Sequence, residues 1–381
     1  MIRTNARFVN SCFLGLPQQQ YGSKLNYHLN KEPAPNQAFE YLKGETSHKQ
    51  PTFQEQQLFA RRFGIPLTLD DLVKVNETAG IEGGELENSE NPVILDKEYM
   101  RRRSELLEIS ATQDMGKDYI PLIEYNREEV NVWGSVFKDV VDQCSILGAQ
   151  EINQQFVSMK KELRIVDSKV VQIRDLSNYL RQQGGWRMRP VSGFLTLKSF
   201  LLHLAFKMYP ATQYMRHQTG AQYNFEPDIL HDVFGHASSL LVPEIAALHH
   251  KCGLATLGAN DELLEQISAV MWYTFEMGLC RKENSEGFEL LGGSLFSSVK
   301  ERIQALNGSV HVKPLGDLNQ LKYSEIQYSG LQKEYRASPP LKELLAIMNE
   351  WFDDIIEKQP FEAHFCDLQR RIIITKIKQY W

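Results

Sequence analysis

Ten histidines are spread over 381 residues, yet six of them, His203, His217, His231, His236, His249 and His250, fall between positions 203 and 250. Two stand in the run Glu226-Pro227-Asp228-Ile229-Leu230-His231-Asp232-Val233-Phe234-Gly235-His236, and forty residues further on a single carboxylate, Glu276, sits in the apolar stretch Ile267 to Leu279. Two imidazoles and a carboxylate are the donors of a facial triad. Such a triad leaves three octahedral positions open and suits a non-haem Fe(II) that must meet both oxygen and a reductant or substrate. The same donors suit a hydrolytic zinc ion, although the helical HExxH signature is absent because the spacing is one residue longer. The residues alone also permit a plainer reading, with helix-end or core histidines and a buried ion pair at Glu276.

Geometry poses a test for the first reading. On a regular helix, residues five apart point about 140° away from each other. Gly235 offers a way out: a left-handed glycine just past the helix end would swing His236 back beside His231, with Pro227 at the first helical position and Asp228 at the positive end of the helix dipole. His249 and His250 read as surface residues on a helix, and Glu286 and Glu289 as solvated loop carboxylates.

The elements that must position these groups are mainly helical. Apolar residues at three-to-four spacing predict helices over Tyr99 to Ile109, Glu128 to Leu147, Ile152 to Leu163, Ser199 to Met208, Glu262 to Leu279 and Leu341 to Ile356. The best strand candidates are Val310 to Val312 and Ile372 to Ile377. Before the main unit, Thr52 to Phe63 predicts a helix stopped by Gly64, and Thr68 a cap for Leu69 to Val75. Residues 1 to about 50 read as an irregular arm. The acidic, glycine-containing stretch from Glu77 to Asn91 reads as a linker. The division is therefore an N-terminal arm and helical segment over 1–85, a catalytic unit over 86–335, and a C-terminal helix with a strand-like end over 336–381.

Composition narrows the classes further. With 42 basic and 48 acidic residues the net charge is −6, which gives no electrostatic case for a nucleic-acid partner. Five scattered cysteines with no CxxC pair fit a reduced, cytoplasmic setting and argue against a cysteine zinc site. No apolar run approaches the ~20 residues of a membrane helix. Asn10 and Ser11 interrupt the faintly leader-like Phe8 to Leu16. The phosphate-cradling GxxxxGK is missing.

Several motifs in order resemble the pterin-dependent aromatic amino acid hydroxylases, the family of phenylalanine, tyrosine and tryptophan hydroxylase. They are RPVSGFL (Arg189 to Leu195), TQYMRH (Thr212 to His217), EPDILHDVFGH (Glu226 to His236), GLATLGANDE (Gly253 to Glu262), TFEMGLC (Thr274 to Cys280) and, more loosely, LFSS (Leu295 to Ser298), preceded by WGSVFK near Tyr125 to Lys138. The resemblance implies a helical, basket-like catalytic domain with Fe(II) on His231, His236 and Glu276, tetrahydrobiopterin or a related reduced pterin as cofactor, and O2 as co-substrate. It further implies that Arg216 binds the α-carboxylate of a small aromatic amino acid, that Ser297 orients it, and that Trp272 walls the ring pocket. Phe200 would stack on the pterin, with Gly193, Leu195 and Asp232 in that cleft.

This sequence departs from the family where specificity is decided. Pro210 stands for a His near the pterin, Asn224-Phe225 for Thr-Pro, Met271 for a Tyr beside the iron, Met277 for a Phe, and Ala237-Ser238 for Val-Pro. Residues 1 to 85 do not look like the family's regulatory domain, and no C-terminal leucine heptad for tetramerisation appears. Within the resemblance, Trp272 favours a phenylalanine-like or tyrosine-like ring over an indole, and Asn224 is placed to hydrogen-bond a ring hydroxyl or the amino acid's own polar groups. The expectation is ring hydroxylation of an aromatic amino acid, foremost L-phenylalanine. Its rivals are a zinc hydrolase on the same site and a binding protein that kept the fold and lost turnover.

Overall fold

The helices form where apolar spacing predicts them, and polar side chains set their starts. The structure, a computed structural model, describes residues 50–74, 92–112, 119–191, 195–224, 226–322, 326 and 330–378. The first long helix of the catalytic unit spans Lys97–Ala111 behind Asp96, whose Oδ1 accepts the Tyr99 N–H at 2.9 Å. Asn126 and Glu129 close a capping box at the head of Arg127–Asp139. Each cap satisfies backbone donors that the first helical turn leaves open. Gln150–Glu162, Leu197–Leu204 behind Thr196, and Leu341–Lys358 complete the expected set. Helices at Ile173–Gly184, Gly293–Ser297 and Val299–Leu306 were not expected from the pattern.

Two expected helices differ in a way that matters for the site. The stretch over Glu128 to Leu147 is interrupted by a π-helical turn at Val140–Cys144. The one over Glu262 to Leu279 is helical over Asp261–Met271, becomes a π turn over Trp272–Glu276, and gives way to a strand at Leu279–Arg281. Met208, expected at a helix end, instead opens the strand Met208–Ala211, which pairs in parallel with Arg187–Pro190.

The remaining strands are short. Phe288–Leu290, Leu279–Arg281, Tyr335–Ser338 and Val312–Pro314 form a four-stranded sheet in that order, and Phe361–Cys366 and Arg371–Ile377 form a C-terminal hairpin. Strands of three or four residues carry too few alternations to register as period two, which is why most escaped the sequence pattern. Glu289 lies on one of them, half-buried, rather than in a solvated loop.

Two large apolar cores result, with a small third cluster of Leu106, Ile123 and Tyr214 beside them. The larger gathers the catalytic helices around Trp133 and Phe234, whose rings stack at 4.9 Å, with Phe137 and Phe156 closing on the same phenylalanine at 6.0 and 6.1 Å. Phe234 belongs to the His231–His236 segment, so this aromatic cluster anchors the candidate ligands to two helices. The smaller core joins Phe59, Ile65, Leu67 and Leu72 of the N-terminal helical pair, Phe53–Phe63 and Leu69–Lys74, to Phe361, Phe365, Ile372 and Ile374 of the terminal hairpin. Backbone bonds reinforce it: Ile372 N–H donates to the Leu67 carbonyl at 2.8 Å, and Ile374 N–H to Gln56 Oε1 at 3.2 Å. Thr52 forms a capping box with Glu55, and Gly64 ends that helix in the left-handed conformation as expected. The arm over 1–49 and the linker from Glu77 to Asn91 lie outside the described residues. No helix among the described residues is long and apolar enough to cross a membrane.

Candidate metal centre and the pocket around it

The helix carrying the first histidine is only one turn, Ile229–His231, and it runs directly into a π turn over Asp232–Ala237. In a π turn the backbone bonds skip five residues, so positions five apart come back to nearly the same side. His231 Nε2 and His236 Nε2 therefore lie 2.8 Å apart. Gly235 is not left-handed, and the expected swing through a glycine terminus is replaced by this change of helical pitch. Its role is close approach: a Cβ there would stand 2.7 Å from both Cα and O of Gly293. Nor does Pro227 start the helix; Asp228 is its cap and accepts the His231 N–H at 3.1 Å.

Glu276 closes the second π turn, and its carboxylate reaches both rings, with Oε1 3.1 Å from His236 Nε2 and Oε2 3.4 Å from His231 Nε2. Gly292 lets the backbone pass there, since a Cβ would meet the Glu276 carbonyl oxygen at 2.3 Å. Among the described residues these three side chains are the one group of metal-binding type whose donor atoms converge. The spacing fits an ion: two ligands at ~2.1 Å on adjacent octahedral positions are separated by about 3 Å.

Two of the three protonation states fit as well; for His236 burial is outweighed by the charge and hydrogen bond of Glu276, which raise it above the usual imidazole value, so that ring gives up a proton when it takes a metal. Burial, then the charge of His236, push His231 down to about 4, so its imidazole is neutral. Burial opposes ionisation of Glu276, but the charge and hydrogen bond of His236, with help from His231, outweigh it and hold the carboxyl at about 2. A metal needs both in those forms. Ser297 Oγ donates to the Gly293 carbonyl at 3.1 Å and lies 3.2 Å from His231 Nδ1, so the hydroxyl is left to accept from Nδ1–H. That tautomer aims the Nε2 lone pair at the triad centre.

Arg216 stands beside this group and is buried, but its fork is occupied. Nε and Nη2 donate to Asp228 at 2.9 and 2.7 Å, and Nη1 donates to the carbonyls of Ser297 and Ala221 at 3.0 and 3.4 Å. Four of the five guanidinium donors are thus committed within the protein. Asp228, which capping logic explained only as a helix-dipole partner, links Arg216 to the His231 turn. Glu226 adds a second buried pair, to Arg103 at 2.6 Å. These partners escaped sequence reasoning because Arg103 is remote in the chain; the acidic pair in EPD was the available signal.

The other residues singled out by sequence are held in different ways. Trp272 opens the second π turn and is partly buried, with Met271 and Met277 buried on either side of that turn. Asn224 turns its Nδ2 back to the Glu226 carbonyl at 2.7 Å. Asp232 is buried and accepts from the Thr212 N–H and hydroxyl at 2.7 and 2.9 Å; burial outweighs those bonds and lifts it to about 7. Leu195 is buried, and Phe200 packs at right angles to Tyr209, 5.4 Å between centroids. Gly193 and Phe225 lie outside the described residues. His249 is a correction: it is not on the surface but 1% exposed, with Nδ1 2.9 Å from the Ile245 carbonyl and its ring 4.5 Å from Phe275. Its neighbour His250 is partly buried against the Leu204 carbonyl.

Comparison with known proteins places the chain in a family. Residues 64–380 match the model of a family described as biopterin-dependent aromatic amino acid hydroxylase. A tyrosine 3-monooxygenase of Drosophila melanogaster is 37% identical over 217 residues, covering 57% of this chain and 37% of the relative. A tryptophan 5-hydroxylase of Xenopus laevis is 29% identical over 312 residues, covering 82% of this chain and 63% of the relative. The chain thus spans less than two thirds of the length of either. Among solved structures, a phenylalanine hydroxylase of Chromobacterium violaceum with bound iron(III) and 7,8-dihydrobiopterin superposes with a TM-score of 0.56 at 23% identity, over 68% of this chain and 93% of that one.

Proposed function

The chain belongs to the biopterin-dependent aromatic amino acid hydroxylase family, and from that premise we propose that it is an iron(II)- and tetrahydropterin-dependent monooxygenase acting on the ring of an aromatic amino acid, foremost L-phenylalanine. The observation that carries the reading is the convergence of His231, His236 and Glu276 with their donor atoms facing one another. The donor set of two imidazole nitrogens and one carboxylate suits Fe(II), and the bacterial phenylalanine hydroxylase that shares the fold holds iron(III). Iron held there, with a reduced pterin beside it, would supply the oxygen-activating redox chemistry that no side chain of the chain provides.

The protein's own residues bind, orient and exclude water. Ser297 holds the His231 tautomer, and Gly235, Gly292 and Gly293 let three backbone segments close around the ligands. Arg216 offers the amino acid's carboxylate its charge and the one Nη2 N–H not given to Asp228, Ser297 or Ala221. Trp272 walls the ring, and Phe200 offers the pterin an aromatic surface, with Leu195, Gly193 and Asp232 in the same cleft. Met271 and Met277 are flexible side chains where the ring must settle. Because reaction requires approach to about 3–3.5 Å in the right orientation, a small tilt brings a different ring carbon forward. We place all these groups in the unit 86–335, with residues 52–74 and the terminal hairpin supporting it through the second core.

The test is anaerobic reconstitution with Fe(II), followed by Phe, Tyr or Trp with a reduced pterin and oxygen. Chromatography against ortho-, meta- and para-tyrosine is expected to show phenylalanine turned over with a share of product away from the para carbon. Oxygen consumption at full rate without pterin, or turnover of tryptophan alone, would overturn the assignment.

A further inference from the structure

The two imidazoles of the metal centre are held differently. His231 has the usual arrangement, its far nitrogen hydrogen-bonded to Ser297. His236 does not: it is 1% exposed, and its Nδ1 finds no hydrogen-bond partner among the described residues. A metal-binding imidazole ordinarily donates its other N–H to a carboxylate, carbonyl or water, and that bond fixes the orientation of the ring. What meets His236 instead is a flat surface and a bare backbone. The Tyr209 ring lies over it at 4.8 Å with an interplanar angle of 30°. Against its metal-side edge lies Gly293, so close that a Cβ there would stand 2.7 Å from His236 Cε1 and Nε2.

We infer that Tyr209 is a positioning residue for the metal centre: its ring face sets the plane of the His236 imidazole, in the place where a hydrogen bond usually does so. The inference rests on the metal centre proposed above. A stacked ring limits tilt, while rotation within the plane is limited by the Gly293 backbone; together the two contacts define the orientation that one hydrogen bond would give. Tyr209 is itself immobile enough to serve. It is 2% exposed, lies in the parallel strand pair opposite Met188, and is braced at right angles by Phe200 at 5.4 Å and obliquely by His249 at 6.5 Å. The same contacts place Tyr209 between a metal ligand and the side chain assigned to the pterin. The stacking uses the ring and not the hydroxyl, which makes the inference specific: a phenyl face should substitute, and a flexible side chain of similar bulk should not.

The experiment titrates metal-free protein with Co(II), reading the visible absorption of the bound ion, alongside the thermal midpoint of the metal-free form. Tyr209→Phe is expected to bind cobalt like the parent. Tyr209→Met, which fills the space without a flat face, is expected to lose roughly 10–100-fold in affinity, the usual cost of removing an orienting partner. Tyr209→Leu serves if the methionine variant does not fold. Equal cobalt affinity in a folded Met or Leu variant overturns the inference. So does a Phe variant as weak as they are, because the loss would then follow the hydroxyl. Parent protein that takes up no cobalt would overturn the metal centre itself, and this inference with it.

Discussion

The two ends of the site are built from opposite materials. At the metal end, backbones touch with no side chains between them, Gly235 against Gly293 and Gly292 against the Glu276 carbonyl. At the end proposed above for the amino acid, buried charges do the holding: Arg216 on Asp228 and Arg103 on Glu226, every one of these side chains at most 5% exposed. The metal end therefore resists a change of bulk and the other end a change of charge. The contrast follows from chemistry. A metal draws its ligands together once they are close and correctly turned, so the protein supplies closeness and ring orientation rather than charge. A carboxylate of the substrate must be met by a cation kept charged in a dry place, and that cation needs a counter-charge before the substrate arrives.

The deepest break in this comparison comes from the ligands. His231→Ala, His236→Ala and Glu276→Ala are each expected to lose most bound metal and all ring hydroxylation, since a facial triad has no spare protein ligand. Metal content of the purified variants checks this, and full occupancy in any one removes that residue from the triad.

Asp228→Asn comes next, because it keeps the shape and the helix cap while leaving Arg216 charged and uncompensated. Breaking a buried pair in this way costs about 3–5 kcal/mol, to be read from urea denaturation. A loss no greater than that of a surface pair would mean that charge is not what holds this end.

Gly235→Ala probes the other material. Its added methyl meets backbone rather than a movable side chain, and overpacking of this kind costs about 1–3 kcal/mol together with a drop in metal affinity. Unchanged stability and metal binding would show that the Gly293 segment can retreat. The smallest expected effect is that of Phe200→Ala, which removes an aromatic contact of about 0.5–1.5 kcal/mol and should raise the pterin requirement with metal content unchanged. Metal content as low as in the ligand variants would show that the brace Phe200 gives Tyr209 is indispensable to the metal centre.

Much of the helical frame was legible because its signals are local. Gly64 acts within one turn of itself, and the apolar spacing of Gln150–Glu162 or Leu341–Lys358 repeats often enough to be read, while the caps Asp96 and Asn126 were not singled out by sequence. The short strands were not legible, as at Leu279–Arg281, whose partners Phe288–Leu290 and Tyr335–Ser338 come from elsewhere in the chain. His249 read as surface because its charged-type side chain is covered by Phe275 and Trp186, which are distant in sequence.

By itself the sequence determined which donors are on offer: two imidazoles and a carboxylate in apolar surroundings, with an arginine close by in the chain. The tertiary structure alone decided how those donors meet. The backbone hydrogen bonds of Asp232–Ala237 and Trp272–Glu276 reach one residue further than those of an α-helix, a difference that composition does not announce. It persists here where Phe234 is gripped by Trp133, Phe137 and Phe156, and where Gly293 comes up against Gly235. Donor identity is a property of single residues, whereas donor convergence is a property of contacts between segments far apart in the chain.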